Sequence, residues 1–148
     1  MRKLPLTRYL SHALEEAGKI SARLGAEHIE TLSLLLGLLK MKGSLACEIL
    51  KMHGVSEEIF SEAFKARTAE KKRRTKVKTF TPRTEEILSL AAQMAVKYGS
   101  DVLGTEHVLL AVLKDGENEA VQLLAQQKIP VDAIFIDTLV TMGIDYKS

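Results

Sequence analysis

The stretch 104-GTEHVLLAVLKDGENEAVQLL-124 decides the fold, because a second copy of its pattern occurs earlier in the chain. Residues 30-ETLSLLLGLLKMKGSLACEIL-50 match it at an offset of 74 positions. In each copy a threonine precedes a nearly all-apolar run, a charged or glycine-bearing turn follows, and an amphipathic run comes next. A helix that is apolar nearly all round belongs in the middle of a bundle. The sequence therefore predicts two repeats, each built around a buried central helix.

The match extends well beyond these two stretches. Residues 7–59 align with residues 81–133 without a gap, and 11 of the 53 pairs are identical. For a chain this rich in leucine and alanine, chance would supply roughly four identities. The identities fall at predicted helix starts, helix stops and core positions, which favours an internal structural repeat.

The sequence of each repeat predicts four helices, and the same residue types mark the helix starts and ends in both repeats. A threonine caps the first helix, a left-handed glycine ends it, and a second threonine caps the central helix. The third helix is amphipathic, and the fourth begins with acidic residues in its first turn. The predicted boundaries are Thr7, Gly25, Thr31, residues 44–53 and Ser56 in the first repeat, and Thr81, Gly99, Thr105, residues 118–127 and Pro130 in the second.

The predicted architecture is a single all-α domain over residues 1–148, with the two repeats packed about a pseudo-twofold axis. Repeat one covers about residues 4–65, a basic linker residues 66–80, and repeat two about residues 81–143. Within this linker region, residues 65–78 carry eight basic residues and one acidic residue, a net charge of +7, so the rest of the chain carries 2 − 7 = −5. We interpret the basic segment as a solvated linker.

Attraction of the basic segment to an acidic partner is the first alternative. Non-specific nucleic-acid binding through Lys71–Lys78 is another, since Lys/Arg-rich stretches bind phosphates. Phe80 is the one aromatic residue near this segment that could stack on a base, and single-stranded nucleic acid is usually held by several. We rank nucleic acid below a protein partner.

The motifs of enzymes and metal sites are missing from the sequence. It contains no GxxxxGK[ST], no HExxH and no GxSxG, and its four histidines lack metal-ligand spacing. The single cysteine, Cys47, lies in an apolar helical pattern typical of a buried thiol. We expect a binding module rather than an enzyme, with no cofactor and no metal. No apolar run is long enough to span a membrane and no signal peptide is evident, so we expect a cytoplasmic protein with no membrane partner.

The stretches FTPRTEEIL (80–88) and GTEHVLLAVL (104–113), with their weaker counterparts in repeat one, resemble the double Clp repeat. This is the N-terminal domain of Clp-type AAA+ unfoldases, and the resemblance is closest to the ClpC type and covers about residues 4–143. It implies a helical domain that docks adaptor proteins and protein substrates and passes them to the Clp ATPase ring and its peptidase through the parent chain. It also implies that the isolated domain is monomeric. A free-standing accessory protein of the Clp system is the alternative.

The resemblance to ClpC-type domains further implies recognition of phosphoarginine, a degradation mark on substrates. In that mode a glutamate after the threonine of "GTEH" receives the guanidinium, and a nearby helix N-terminus receives the phosphate. Repeat two keeps the matching residues, which are Thr81, Arg83, Thr105 and Glu106. A glutamate in the first turn also favours a helix by about 0.3–1 kcal/mol through the helix dipole alone, so a purely structural role for Glu106 stays open.

Repeat one departs from this pattern at one critical position. It keeps Thr7 and Thr31, but Leu32 stands at the position equivalent to Glu106, and Ser33 at the position equivalent to His107. Leucine cannot pair with a guanidinium, so the sequence predicts one intact site, in repeat two. Leu32 is also expected to be exposed at a helix start, where it would offer an apolar contact to a partner. Drift towards adaptors or unmodified substrates is the alternative interpretation. For His107 we expect packing between the repeats.

Overall fold

The computed structural model describes residues 3–68 and 77–145. Within these residues the chain forms eight α-helices, and none of them is long and apolar enough to cross a membrane. The helices are α1 (Arg8–Arg23), α2 (Thr31–Lys40), α3 (Leu45–Met52), α4 (Glu57–Thr68), α5 (Pro82–Lys97), α6 (Thr105–Asp115), α7 (Glu119–Gln126) and α8 (Val131–Thr141). The all-α prediction is confirmed.

The first helix of each repeat begins and ends as the sequence predicts. The Oγ1 atom of Thr7 accepts the Leu10 N–H at 3.1 Å, and Oγ1 of Thr81 accepts the Thr84 N–H at 3.2 Å. Each threonine therefore satisfies one of the orphan amides of a helix start. After each helix the chain reverses through a glycine in the left-handed region, with φ of 79° at Gly25 and 76° at Gly99.

The central helices α2 and α6 are buried, as their apolar sequences predict. Residues 31–39 of α2 are buried on every side, and residues 105–113 of α6 are buried apart from Glu106. The repeats pack across the pseudo-twofold axis through α2 against α7, α3 against α6, and α3 against α8. At the last of these contacts, Nε2 of His53 lies 2.5 Å from Oδ2 of Asp137. The two repeats therefore share one continuous core.

Backbone hydrogen bonds join the two repeats at two equivalent places, which we call crossings. At crossing A (residues 5–7 with residues 103–106), Leu103 accepts the Thr7 N–H at 2.9 Å and donates its own N–H to Pro5 at 2.9 Å. At crossing B (residues 79–81 with residues 29–32), Ile29 does the same with Thr81 at 3.1 Å and Thr79 at 2.8 Å. Each crossing places the start of one repeat's first helix beside the start of the other repeat's central helix.

The described ends of the predicted linker have defined structure, although most of their residues are exposed. Helix α4 continues to Thr68, beyond the predicted linker start at residue 66. Val77 is 7% exposed, and its carbonyl oxygen lies against Gly18, where an added Cβ would approach it to 2.5 Å. The chain between these ends, residues 69–76, lies outside the described residues, and with it most of the basic Lys71–Lys78 segment.

Candidate functional site

Glu106 offers a carboxylate at crossing A that no other described residue engages. It occupies the second position of α6 and is half-buried. Its side chain folds back over Gly104, so a Cβ added at Gly104 would overlap Oε1 of Glu106. Among the described residues, no hydrogen bond or ion pair is made by this carboxylate. The adjacent Leu103 carbonyl accepts the Thr7 N–H, so the start of α1 lies close by.

His107 serves the start of α6 rather than a ligand. It is 3% exposed, and its Nδ1 accepts the Gly104 N–H at 3.0 Å, so the proton of the neutral ring resides on Nε2. Burial lowers the pKa of His107, and the neighbouring Glu106 carboxylate opposes this shift only in part. In repeat one, Oγ of Ser33 accepts the Glu30 N–H at the same 3.0 Å. Serine and histidine therefore perform the same capping task in the two repeats.

Thr31 and Thr105 are not the caps that the sequence predicts. The N-cap residues are Glu30 and Gly104, and the two threonines begin the helices with their hydroxyls turned into the core. Ser33 and His107 accept the N–H groups of these two N-cap residues. Oγ1 of Thr105 accepts the Ala46 N–H of α3 at 3.5 Å, whereas Oγ1 of Thr31 is buried and has no hydrogen-bond partner in the described part of the chain.

This difference between Thr31 and Thr105 predicts opposite responses to the same substitution. We expect Thr31→Val to raise the free energy of unfolding by about 1 kcal/mol, because a buried hydroxyl without a partner is replaced by a methyl group of equal size. We expect Thr105→Val to lower it by about 1 kcal/mol, because the buried Ala46 N–H loses its acceptor. Urea denaturation of the two variants measures both effects, and equal shifts would contradict the assignment.

The four residues predicted to form the repeat-two site lie in two separate places. Thr81 and Arg83 lie at the start of α5, and Thr105 and Glu106 lie at the start of α6. Thr81 caps α5 at crossing B, and Nη1 of Arg83 lies 2.9 Å from Oδ1 of Asp115 at the far end of α6. Burial works to raise the pKa of Asp115, but hydrogen bonds from Asn118 and Arg83 outweigh it and hold that pKa below its usual range. Glu106 and Asp115 are nine residues apart on α6, roughly 14 Å along its axis. The structure therefore brings Glu106 together with Thr7, from repeat one, and not with Thr81 or Arg83.

Leu32 is buried, so the expectation of an exposed apolar contact at this position was wrong. Its side chain is 2% exposed and belongs to the shared core. Its backbone N–H points at Oε1 of Glu119, the first residue of α7, at 3.4 Å. Helix α7 belongs to repeat two, so the carboxylate beside Leu32 comes from the other repeat. The starts of α2 and α7 converge here, and a carboxylate offsets the positive ends of both helix dipoles.

Crossing B carries an ion pair that the sequence analysis missed. Glu30, the N-cap residue of α2, has its Oε1 atom 2.8 Å from Nη2 of Arg67 in the last turn of α4. The alignment of the two repeats does single out Glu30, because Gly104 stands at the equivalent position and the acid is specific to repeat one. Arg67 had no such signal, since it falls in the segment assigned to the linker.

A groove with an apolar lining lies beside crossing B, between α1 and residues 77–80. Its volume is about 500 Å³, which is within the range that accommodates a few side chains of a bound peptide. Its apolar walls include Leu14, Ala22, Ile29 and Phe80, and its charged lining residues are Glu15, Lys19 and Lys78. The groove therefore combines an apolar floor with a charged rim of two lysines and one glutamate.

Comparisons with known proteins agree on one family. The model of the Clp repeat (R) N-terminal domain matches residues 5–127. The ATP-dependent Clp protease ATP-binding subunit ClpC of Staphylococcus saprophyticus is 30% identical over 119 residues, which cover 80% of this chain and 14% of that protein. The ClpC subunits of several Staphylococcus aureus strains are 29% identical over 119 residues. The chain thus spans about a seventh of the length of these relatives.

Solved structures share the fold at low sequence identity. The N-terminal domain of ClpD from Arabidopsis thaliana superposes with a TM-score of 0.76 at 16% identity, covering 93% of this chain and 94% of that one. The Hsp104 N-terminal domain of Candida albicans gives a TM-score of 0.74 at 13% identity, covering 95% and 93%. The ClpV N-domain of Vibrio cholerae gives 0.70 at 14% identity, covering 100% and 96%. The chain belongs to the Clp repeat N-terminal domain family.

Proposed function

We propose that this domain receives adaptors and protein substrates for a ClpC-type ATP-dependent unfoldase, and that crossing A recognises phosphoarginine. The observation that carries the proposal is the half-buried Glu106 carboxylate, which has no hydrogen-bond or ion-pair partner among the described residues and lies beside the start of α1. A free-standing Clp accessory protein would use the same site, because the site lies wholly within this domain.

The chemistry of phosphoarginine suits this pairing. Its phosphate is bonded directly to the guanidinium, so its negative and positive parts are neighbours. The first amides of α1, at Arg8 and Tyr9, have no intrahelical acceptor, and the helix dipole adds partial positive charge there. Arg8 contributes a full positive charge at the same helix start. Glu106 can accept the guanidinium N–H groups in a charge-assisted pair.

The apolar groove between α1 and residues 77–80 is our proposed surface for the protein chain that carries the mark or for an adaptor. Its two lysines, Lys19 and Lys78, outnumber the one acid of the lining, Glu15, and so favour a partner segment that combines apolar anchors with acidic residues. Crossing A would then bind the modified side chain itself.

Titration with free phosphoarginine tests the proposal. We expect chemical-shift changes at the amides of Arg8 and of Gly104–Glu106, and we expect Glu106→Gln to weaken binding about tenfold, as the loss of one charge-assisted hydrogen bond predicts. NMR titration of the labelled domain measures both. Glu58→Gln removes one exposed first-turn carboxylate from α4 and serves as the charge control. Unperturbed crossing A amides, or a Glu106→Gln variant that binds as well as the parent chain, would refute the site.

A further inference from the structure

We propose that a groove along α8 is a docking surface for an acidic segment of a partner protein, which inserts apolar side chains between two lysines. This α8 groove lies between α8 and the last turns of α5 and α6, and its volume is about 590 Å³. Its apolar lining includes Phe135, Ile136 and Leu139, and its charged lining residues are Lys97, Lys114 and Asp145. None of these residues belongs to crossing A or to the groove between α1 and residues 77–80, so the α8 groove is a separate surface.

The internal repeat shows that the fold does not require apolar residues along this helix. The equivalents of Phe135 and Ile136 in α4 are Ser61 and Glu62, and Glu62 is exposed and forms an ion pair within its own helix. In α8, by contrast, Ile136 is 37% exposed, and Val140, one turn further along the same face, is 54% exposed. Neighbouring exposed apolar side chains that the fold does not need indicate an interaction surface.

Lys114 lacks the acidic partner that its equivalent has in repeat one. The equivalent residue is Lys40, whose Nζ lies 2.5 Å from Oε2 of Glu57, the first residue of α4. The first residue of α8 is Val131, which stands at the position equivalent to Glu57 and carries no charge. Lys114 is exposed, and its side chain forms no ion pair or hydrogen bond with any residue that the structure describes. A carboxylate from a partner can therefore occupy the place that Glu57 fills in repeat one.

The charge of the α8 groove favours an acidic partner. Its second lysine, Lys97, ends α5, and its Nζ lies 5.5 Å from the centre of the Tyr98 ring. Asp145 is the one acid among the described lining residues, so the two lysines leave a net positive charge. Carboxylates of a partner segment can pair with these lysines while its apolar side chains cover Ile136. A lipid surface fits less well, because a groove of this size accepts individual side chains and Asp145 would face the anionic headgroups.

NMR titration of the labelled domain with a designed peptide tests this surface. The probe is an amphipathic peptide of leucine, alanine and glutamate, and its matched control has glutamine in place of every glutamate. We expect the acidic peptide to shift the amides of Lys97–Gly99 and of Phe135–Leu139. The glutamine peptide should bind more weakly, and raised salt should weaken only the acidic peptide, because salt screens exposed charges.

Three substitutions outside the buried core separate the contributions to peptide binding. Lys114→Gln should raise the dissociation constant of the acidic peptide about threefold, as the loss of one exposed ion pair predicts. Val131→Glu, which restores the acid of repeat one beside Lys114, should weaken binding by about the same factor. Ile136→Glu, which reproduces the residue of repeat one, should weaken it about tenfold, because it removes an apolar contact and adds a like charge. Lys51→Gln removes an exposed lysine of α3 outside the α8 groove and should leave the affinity unchanged.

Several results would overturn this assignment of the α8 groove. One is an acidic peptide that shifts only amides elsewhere in the domain, and another is a pair of variants, Lys114→Gln and Ile136→Glu, that bind it as tightly as the parent chain. If the amides of the α8 groove shift with domain concentration alone, a second copy of this chain covers the groove instead. If only phosphatidylglycerol vesicles shift them, the partner is a lipid surface. Phosphoarginine binding at crossing A is measured at different amides, so none of these results bears on the proposed function.

Discussion

Leu32→Glu, which places a glutamate at the position equivalent to Glu106, is expected to lower the free energy of unfolding by about 3 kcal/mol or more. Leu32 is 2% exposed, and removing a buried leucine side chain alone costs roughly 2–3 kcal/mol. The new carboxylate would also lie near Glu119, whose Oε1 is 3.4 Å from the Leu32 amide. Two carboxylates in one half-buried site repel each other. Chemical denaturation at neutral pH measures the loss.

The internal repeat indicates which second substitution should compensate for Leu32→Glu. The equivalents of Leu32 and Glu119 are Glu106 and Leu45, so each pair of converging helix starts holds one glutamate and one leucine, on opposite partners. We expect the swap Leu32→Glu with Glu119→Leu to recover more than half of the lost stability, because it reproduces the arrangement of repeat two. A double-mutant cycle should give a coupling energy of about 1–2 kcal/mol. If the stability effects of the two single substitutions simply add, positions 32 and 119 do not interact as the repeat predicts.

The sequence predicted the parts of this domain better than their assembly. The repeat, the central helices and the glycine stops all follow from local patterns, since capping, left-handed turns and apolar periodicity are short-range properties. The grouping of Thr81 with Glu106 failed for a different reason. An internal repeat shows which positions are equivalent but not which repeat each segment contacts. The crossings are made by backbone hydrogen bonds of Ile29 and Leu103, which leave no side-chain signature.

Leu32 illustrates the same limit at the candidate site. Aligned against Glu106, it indicated a lost carboxylate and an exposed apolar residue. The structure instead shows Leu32 in the core, Glu119 beside its amide and Glu30 beside the crossing. Neither acid is predictable from position 32, because Glu119 belongs to the other repeat and Glu30 stands at an N-cap where serine, threonine, aspartate or asparagine would be expected.

Gly37→Ala is expected to destabilise the domain, although alanine favours a helix more than glycine does. Gly37 lies inside α2, where alanine would be favoured by up to about 1 kcal/mol. However, a Cβ at this position would overlap the carbonyl oxygen of Ala13 and lie 3.1 Å from Cβ of Ala17, both on α1. Backbone atoms cannot rotate away as the end of a side chain can, so α1 and α2 must separate.

Overpacking of a core typically costs about 1–3 kcal/mol, and separating α1 from α2 also loosens the crossing B segment packed on α1. We expect Gly37→Ala to lower the free energy of unfolding by about 2 kcal/mol and the melting temperature by roughly 4–8 °C. The matched control is Ala111→Gly, because Ala111 is the equivalent residue in α6 and its Cβ is accommodated in the core. That control should lose about 2 kcal/mol, about 1 from helix propensity and about 0.8 from the lost buried methyl group. A Gly37→Ala domain more stable than its parent would show that α1 and α2 can separate without loss, and that close helix contact does not require glycine here.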